Sequence, residues 1–223
     1  MNYQNKLNDV FTLAHEAGHS MHSLYSRTNQ PFQYSQYTIF VAEVASTFNE
    51  ELLLQSLLAQ TSDPMQKAYL INNAIESLRG TLFRQTMFAE FELMIHNFVE
   101  SNTPLTPALL KNEFLKLNQD YFGEHLCLND MVNIEWARIP HFYSNFYVYQ
   151  YATGISAALC LADKVRHGDE TQRVDYLNFL KSGSSKFSLD ILKNAGVDMR
   201  TKEPVLHALD RFDSLVKQLD ELL

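Results

Sequence analysis

The chain has 223 residues, of which 46% are hydrophobic and 20% are charged, so it is long enough for a sizeable folded domain and too apolar to be disordered. The formal net charge of -8 argues against a nucleic-acid partner. Because no long apolar run and no signal-peptide core are present, we expect no membrane partner and a cytoplasmic protein.

Nearly every segment has the apolar spacing of a helix, and strand signals are scarce, so the sequence predicts an all-α fold. We interpret residues 1–223 as a single helical domain. Arg27–Tyr37 is predicted to be a loop, and Glu124–Arg138 is predicted to be irregular. The predicted helices are, in chain order, Asp9–Ser26, Thr38–Gln60, Met65–Val99, Thr106–Phe122, Pro140–His167, Asp169–Leu180, Ser188–Gly196 and one that starts after Thr201.

The first predicted helix contains the pattern His-Glu-x-x-His, at His15, Glu16 and His19. Residues four apart lie on one face of a helix, so both imidazoles can bind the same metal ion. Glu16 points to the side of that face, where it can reach a water molecule on the metal. Gly18 costs about 1 kcal/mol relative to alanine, which indicates close approach by another backbone or a substrate. A surface helix with two exposed histidines is the alternative.

A catalytic zinc site needs three protein ligands, and the second helix offers Glu43 as the third. Glu43 interrupts the apolar run Ile39–Ala45, and a buried carboxylate needs a partner or a metal. Ser46, Thr47 and Glu50 fall on the same helix face and can hydrogen-bond the ligands. We choose Glu50 as the residue that supports the ligands from outside the metal sphere. A solvated helix carboxylate is the alternative for Glu43 and Glu50.

The spacing of the sequence leaves the role of His22 open. It lies on the same face as His15 but two turns away, so it cannot easily bind the same metal ion. We predict that His22 supports the ligands or faces the substrate, with a purely structural histidine as an equal alternative. A structural zinc site is a further alternative, and it would need a fourth protein ligand such as His22 or His141.

An aromatic stretch opens the predicted helix that starts at Pro140. Tyr143, Tyr147 and Tyr151 are four residues apart and would share one face of that helix, with His141 close by. Phenol and imidazole donors in a dry cleft can stabilise the oxyanion that forms when water attacks an amide. An aromatic core stripe with hydroxyl groups at its edge is an equally good interpretation of the spacing alone.

With these segments identified, the chain resembles the M3 family of zinc metallopeptidases, specifically the oligoendopeptidase F group. The matching segments are Thr12–His22, Phe40–Ser46 and Arg138–Gly154, and the resemblance runs along the whole chain. It implies a mostly helical, two-lobed ellipsoid with a deep channel, of which this chain is the zincin-type catalytic lobe. Family members have a long N-terminal portion before the zinc helix, so we expect a C-terminal fragment whose missing partner is that N-terminal lobe.

The resemblance also implies residue roles. It implies one zinc ion per chain, with the ligands His15, His19 and Glu43. Glu16 is implied as the base and proton shuttle, and His141 and Tyr151 are implied to face the scissile carbonyl. Tyr147 and Tyr149 are predicted to bind substrate, although the local pattern differs from the thimet-type members of M3.

We therefore predict a zinc metalloendopeptidase that hydrolyses peptide bonds in unstructured oligopeptides. The isolated chain is expected to be poorly active, because the other wall of the cleft would be missing. The alternative is a truncated, non-catalytic helical module that binds peptides. The sequence makes no prediction about the oligomeric state.

Overall fold

The structure is a computed structural model that describes residues 2–123 and 131–223. Over those two ranges every regular element is helical and no β-strand is present, which confirms the all-α prediction. The α-helices of the described residues are α1 (Leu7–Asn29), α2 (Ile39–Gln60), α3 (Pro64–Leu78), α4 (Arg84–Glu100), α5 (Pro107–Phe122), α6 (Tyr149–His167), α7 (Glu170–Lys181), α8 (Ser188–Asn194) and α9 (Glu203–Leu222).

Shorter helical turns lie between the α-helices. Single turns of 3-10 helix are formed by Phe32–Tyr34 and Pro140–Tyr143, and a longer one is formed by Val132–Arg138. The predicted irregular stretch 124–138 is therefore helical in its second part, while residues 124–130 lie outside the described ranges. The segment predicted as one helix from residue 65 to 99 is helical throughout, but a π-helical turn, Arg79–Phe83, lies between α3 and α4, so it is not one regular α-helix. Gly80 lies within this turn, where a low helix propensity favours a departure from regular geometry.

Two helix starts agree with the sequence prediction in atomic detail. The Thr106 hydroxyl accepts the backbone N–H of Leu109 at 3.2 Å, and Gly123 ends the same helix with a φ of 72°. The Asp169 carboxylate accepts the backbone N–H of Thr171 at 2.7 Å. In each case a side-chain oxygen satisfies an amide that has no partner within the helix.

The sequence also favours Asp9 and Ser188 as N-caps of their helices, and in the structure neither residue is the N-cap. The first helix begins at Leu7 after Lys6, and Asp9 lies inside its first turn, where its carboxylate accepts the N–H of Lys6 at 2.9 Å. Ser188 is likewise the first residue of α8 rather than its cap, and its hydroxyl lies 2.6 Å from that of Thr38. Asp9 still makes a local polar contact, whereas the contact of Ser188 joins α8 to the residue before α2.

The helix predicted to start at Pro140 starts nine residues later, at Tyr149. Pro140–Tyr143 forms a 3-10 turn, and Phe146 adopts a φ of 53°, which is outside the right-handed helical region. A helix cannot continue through a residue in that conformation. Tyr143, Tyr147 and Tyr151 therefore do not share one helix face, and this part of the prediction is wrong.

The chain divides into two compact units. Unit 1 comprises the residues up to Leu78 together with Thr153–Leu223. Within it, α1 packs against α2 and α7, and α3 packs against α9. The core of unit 1 includes Val44 and Phe48 of α2, which are at most 3% exposed. The prediction of a single domain stays a prediction.

Unit 2 is Arg79–Ala152. In it, α5 packs against α4 and against the Val132–Arg138 turn. Its core is aromatic, with Phe91 and Phe114 in edge-to-face contact at 5.1 Å between ring centroids. None of the described helices combines the length and the apolar character that a bilayer-spanning segment requires.

Candidate metal centre

Two imidazoles on α1 converge on one point. His15 and His19 are one helical turn apart, and their Nε2 atoms are 3.2 Å from each other. The two rings are nearly perpendicular, with centroids 4.8 Å apart. Each histidine therefore directs a ring nitrogen to the same small volume, as residues four apart on a helix can do.

Glu43 of α2 completes a triangle with these nitrogens. Its Oε2 atom lies 3.2 Å from Nε2 of His15 and 3.4 Å from Nε2 of His19. A tetrahedral zinc ion with bonds of about 2.0–2.1 Å requires ligand atoms about 3.3–3.4 Å apart, whereas an octahedral ion with the same bonds requires about 2.9 Å. The spacing of the three atoms and the mixture of two imidazoles with one carboxylate both fit zinc.

The electrostatics of the triangle favour a positive charge. Hydrogen bonds from His15 and His19 hold the pKa of Glu43 well below its usual range. The carboxylates of Glu43 and then Glu50 raise the pKa of His15 to about 10. In the metal-free chain the carboxylate is thus ionised and a proton on His15 balances it. A divalent cation would replace that proton, because histidine binds a metal in its neutral form.

Gly18 allows the two helices to come close enough to form the triangle. A Cβ atom on Gly18 would lie 2.6 Å from the carbonyl oxygen of Ala45 and 2.6 Å from Cα of Ser46. These are backbone atoms of α2, which cannot move away as a flexible side chain would. The structure confirms the prediction of a close backbone approach at Gly18.

Residues of α2 hold the three side chains in position. The carboxylate of Glu50 is 2.6 Å from Nδ1 of His15, on the opposite side of the ring from Nε2. The hydroxyl of Ser46 donates to Oε2 of Glu43 at 3.0 Å. A hydrogen bond to the far nitrogen fixes the tautomer and the orientation of a metal-binding imidazole. This contact is the one expected for Glu50, whose role as a supporting residue stays a prediction.

Glu16 follows His15 and is exposed to solvent. It lines a pocket of about 450 Å³ together with His19, Ser23 and Arg27. Among the described residues, the group that could hold a metal ion comprises only His15, His19 and Glu43, so Glu16 is left available for another task. A carboxylate beside the cluster but outside it is where a base would be needed.

His22 is placed away from the cluster, in the interior of unit 1. It is 1% exposed, and its ring stacks on that of Tyr37 at 3.7 Å with the planes almost parallel. Burial, and to a lesser extent the neighbouring His19, lowers the pKa of His22 to about 4. Burial and stacking agree with a structural histidine, but the buried Nδ1 has no hydrogen-bond partner among the described residues, so the ring is not fully satisfied as that alternative requires. A direct role of His22 beside the ligands or substrate stays a prediction.

The aromatic stretch forms a compact ring cluster within unit 2. The ring of His141 stacks on Tyr147 with centroids 5.4 Å apart, and Tyr151 meets both rings edge-on at 6.0 and 5.6 Å. Tyr149 is 40% exposed and Tyr143 is 88% exposed. The structure therefore groups three of the five aromatic residues. The oxyanion roles of His141 and Tyr151 and the substrate roles of Tyr147 and Tyr149 stay predictions.

Sequence reasoning missed one buried acid in unit 2. Glu92 of α4 is 2% exposed, and its Oε1 accepts the backbone N–H of Phe146 at 2.7 Å. The signal was present, since Glu92 interrupts an apolar run between Phe91 and Leu93 just as Glu43 interrupts its own run. The pattern was overlooked because no metal-binding motif lies beside it in the sequence.

The geometry defines a class: an all-helical protein whose His-Glu-x-x-His helix and a carboxylate from the next helix form a cluster suited to one metal ion. Residues 1–211 match the family described as Peptidase family M3. The chain belongs to peptidase family M3.

Three relatives show how far the similarity extends. The chain is 49% identical to oligopeptidase PepF of Bacillus subtilis over 223 residues, which is all of this chain and 33% of that protein. It is 45% identical to the chromosomal oligoendopeptidase F of Lactococcus lactis subsp. cremoris, again over the whole chain and 37% of the relative. The crystal structure of oligoendopeptidase-F from Enterococcus faecium matches with a TM-score of 0.83 and 41% identity, covering 97% of this chain and 39% of that one. The chain thus spans about a third of the length of these relatives.

Proposed function

We propose that this chain carries the metal centre of a zinc peptidase that cleaves unstructured oligopeptides. The observation that carries the proposal is the triangle of His15 Nε2, His19 Nε2 and Glu43 Oε2, with sides of 3.2 to 3.4 Å. Membership of peptidase family M3 supports the reaction class.

His15, His19 and Glu43 would hold the ion through three protein ligands. Zinc bound there would act as a Lewis acid on the peptide carbonyl and make a water molecule more acidic. Glu50 and Ser46 keep the imidazole of His15 and the carboxylate of Glu43 oriented, through the hydrogen bonds at 2.6 and 3.0 Å. This leaves Glu16 as the nearest acid in sequence that does not belong to the cluster.

Glu16 is the proposed base. Its carboxylate would accept a proton from the attacking water and then deliver it to the nitrogen of the leaving amine, so one residue serves both proton transfers. Its solvent exposure and its place in the pocket beside His19 support this assignment.

His141 and Tyr151 are the proposed donors to the carbonyl oxygen as negative charge develops on it. The support is the family resemblance together with the ring cluster in unit 2, where the two side chains are in edge-to-face contact with ring centroids 6.0 Å apart. Tyr147 and Tyr149 are proposed to contact the peptide.

The proposed substrates are oligopeptides, because the relatives are named oligopeptidase and oligoendopeptidase. This chain matches about a third of each relative. We propose that a segment equivalent to the other two thirds is a partner of this chain. An unstructured peptide can extend along a groove, whereas a folded protein would first have to unfold locally.

The decisive experiment measures zinc content and peptide cleavage on the same preparation. We expect about one zinc per chain by elemental analysis and slow cleavage of an internally quenched oligopeptide. Glu16→Gln should retain the zinc and lose cleavage, while the exposed-surface variant Glu170→Gln should change neither. Cleavage that persists in Glu16→Gln at the wild-type rate would contradict the role of Glu16.

The same data separate the proposal from a non-catalytic helical module. A peptide that binds without being cleaved, on a chain that carries no zinc, would favour the binding module. A chain with zinc that resists exchange and supports no cleavage would favour a structural metal site.

A further inference from the structure

Glu92 of α4 is a buried acid in unit 2 that the proposed reaction does not use. It is 2% exposed, and its Oε1 accepts the backbone N–H of Phe146 at 2.7 Å. A buried carboxylate is costly unless hydrogen bonds compensate it. At 2.7 Å this hydrogen bond has good geometry, and breaking it would leave the Phe146 amide without an acceptor, so the contact fixes the backbone of Phe146.

Phe146 has an unusual backbone. Its φ of 53° lies in the left-handed region, which is uncommon for a bulky residue and persists only where the surroundings enforce it. A second contact comes from the same face of α4, because His96 is one turn after Glu92. The ring of His96 stacks on the ring of Phe146 with centroids 4.7 Å apart. Glu92 and His96 thus hold the amide and the side chain of one residue.

The other end of the same turn is also held by α4. The ring of Phe142 lies 5.7 Å from the rings of both Phe88 and Phe91. Phe142 and Phe146 therefore anchor the segment 142–146 on α4. The residues next to these anchors, His141 and Tyr147, belong to the ring cluster, so the anchors determine where that cluster lies within unit 2.

We propose that Glu92 is a positioning residue: through the Phe146 amide it holds the turn that orients His141, Tyr147 and Tyr151. Its effect on catalysis rests on the proposed peptidase function. Its effect on the turn does not, and it can be measured without a substrate.

A role in stability alone predicts a different pattern of results. If Glu92 only supported the core, its loss would lower the stability of unit 2 and leave the folded ring cluster unchanged. If Glu92 positions the turn, its loss changes the arrangement of the rings in the cluster while unit 2 is still folded. The fluorescence of Trp136, the one tryptophan of the chain, reports whether unit 2 is folded, because its ring lies 6.3 Å from Phe91 in that core.

The first measurement is hydrogen exchange of the Phe146 amide by NMR in the 223-residue chain. Glu92→Leu removes the acceptor, and exchange should become at least about tenfold faster, as expected when a backbone amide loses its hydrogen-bond acceptor. Glu92→Gln keeps a neutral acceptor and should give an intermediate rate. Glu90→Leu is the matched control, because Glu90 lies on the same helix, is exposed, and accepts from Tyr121 rather than from the turn. This control should leave the exchange rate of the Phe146 amide unchanged.

The second measurement is the chemical shift of the His141 ring protons, which depends on the adjacent rings of Tyr147 and Tyr151. We expect Glu92→Leu to move this shift and Glu90→Leu to leave it in place. Where the chain cleaves peptide, Glu92→Leu should lower kcat at least about tenfold with little change in KM, and Glu92→Gln should restore most of the rate.

Unchanged Phe146 exchange in Glu92→Leu would overturn the proposal, whatever the rate of cleavage. An unchanged His141 shift, or an unchanged kcat despite lost protection, would overturn the link to the cluster or to catalysis. If Glu92→Leu does not fold, the exchange rate of Phe146 in Glu92→Gln decides, and a wild-type rate there counts against Glu92. A failure of the peptidase proposal itself would appear separately, in the Glu16→Gln experiment.

Discussion

The candidate metal centre in unit 1 and the ring cluster in unit 2 are held in position by different means. His15, His19 and Glu43 lie on two long helices, and their side chains converge because the backbones of α1 and α2 touch at Gly18. The rings of His141 and Tyr147 lie on a short irregular segment whose shape depends on contacts with α4. Regular helices position side chains through periodicity and packing, whereas the irregular segment needs specific hydrogen bonds from elsewhere in the chain.

The largest expected effect in the candidate metal centre is the loss of a ligand. Glu43→Ala should lower zinc affinity by more than about 100-fold, which exceeds the range of 10- to 100-fold typical of residues that only support a ligand. The measurement is a competition titration against a zinc chelator, with the surface variant Glu170→Ala as control. Zinc affinity equal to that of the wild type would mean that another residue provides the third ligand.

A smaller loss is expected from the residue behind His15. Glu50→Ala removes the carboxylate 2.6 Å from Nδ1 of His15, so the ring loses the contact that orients it. Zinc affinity should fall about 10- to 100-fold, and all three ligands remain. The same chelator titration tests this. A loss as large as that of Glu43→Ala would indicate that Glu50 itself binds the metal.

The sequence predicted the helix-based cluster well for a physical reason. His15 and His19 share a face of any α-helix, and Glu43 stands out as an acid within an apolar run, so local periodicity carries the information. The ring cluster could not be predicted in this way. The helical spacing of Tyr143 and Tyr147 predicts one shared face, but the left-handed backbone of Phe146 depends on Glu92, 54 residues earlier in the chain.

The contact between α1 and α2 can be tested with a single methyl group. Gly18→Ala places a Cβ 2.6 Å from the backbone of α2, and the helices must separate to restore ordinary contact at 3.4 Å or more. Overpacking costs about 1–3 kcal/mol, against a gain of about 1 kcal/mol in helix propensity, so the free energy of unfolding should fall by up to about 2 kcal/mol. Zinc affinity should fall as well, because Glu43 moves away with α2.

Gly80→Ala is the matched control for this substitution. Gly80 lies in the π-helical turn, and an added Cβ there has no atom within 4 Å, so stability should be unchanged or should rise by up to about 1 kcal/mol. Denaturant unfolding measures both variants. Equal stabilities of Gly18→Ala and Gly80→Ala would contradict the tight contact between the helices.

The smallest change in the free energy of unfolding is expected for a substitution at Tyr143. Compared with the same substitution at Tyr147, it shows whether the segment that begins at Pro140 is a turn or a helix. If this segment were one helix, Tyr143 and Tyr147 would share a face, and truncating either would cost a similar amount. In the structure Tyr143 is 88% exposed, whereas Tyr147 packs against His141 and Tyr151. Tyr143→Ala should therefore change the free energy of unfolding by no more than about 0.5 kcal/mol, as exposed substitutions usually do.

Tyr147→Ala removes two ring contacts and should cost more, about 1–3 kcal/mol, since each aromatic pair contributes about 0.5–1.5 kcal/mol. Denaturant unfolding followed by the fluorescence of Trp136 measures both variants in unit 2. Equal losses in the free energy of unfolding at the two positions would favour the continuous helix. The ring cluster would then be positioned by helix periodicity, as the metal-binding candidates are, and not by long-range contacts. Unequal losses in the predicted order would support a turn between Tyr143 and Tyr147, and the Glu92 variants test whether α4 holds that turn.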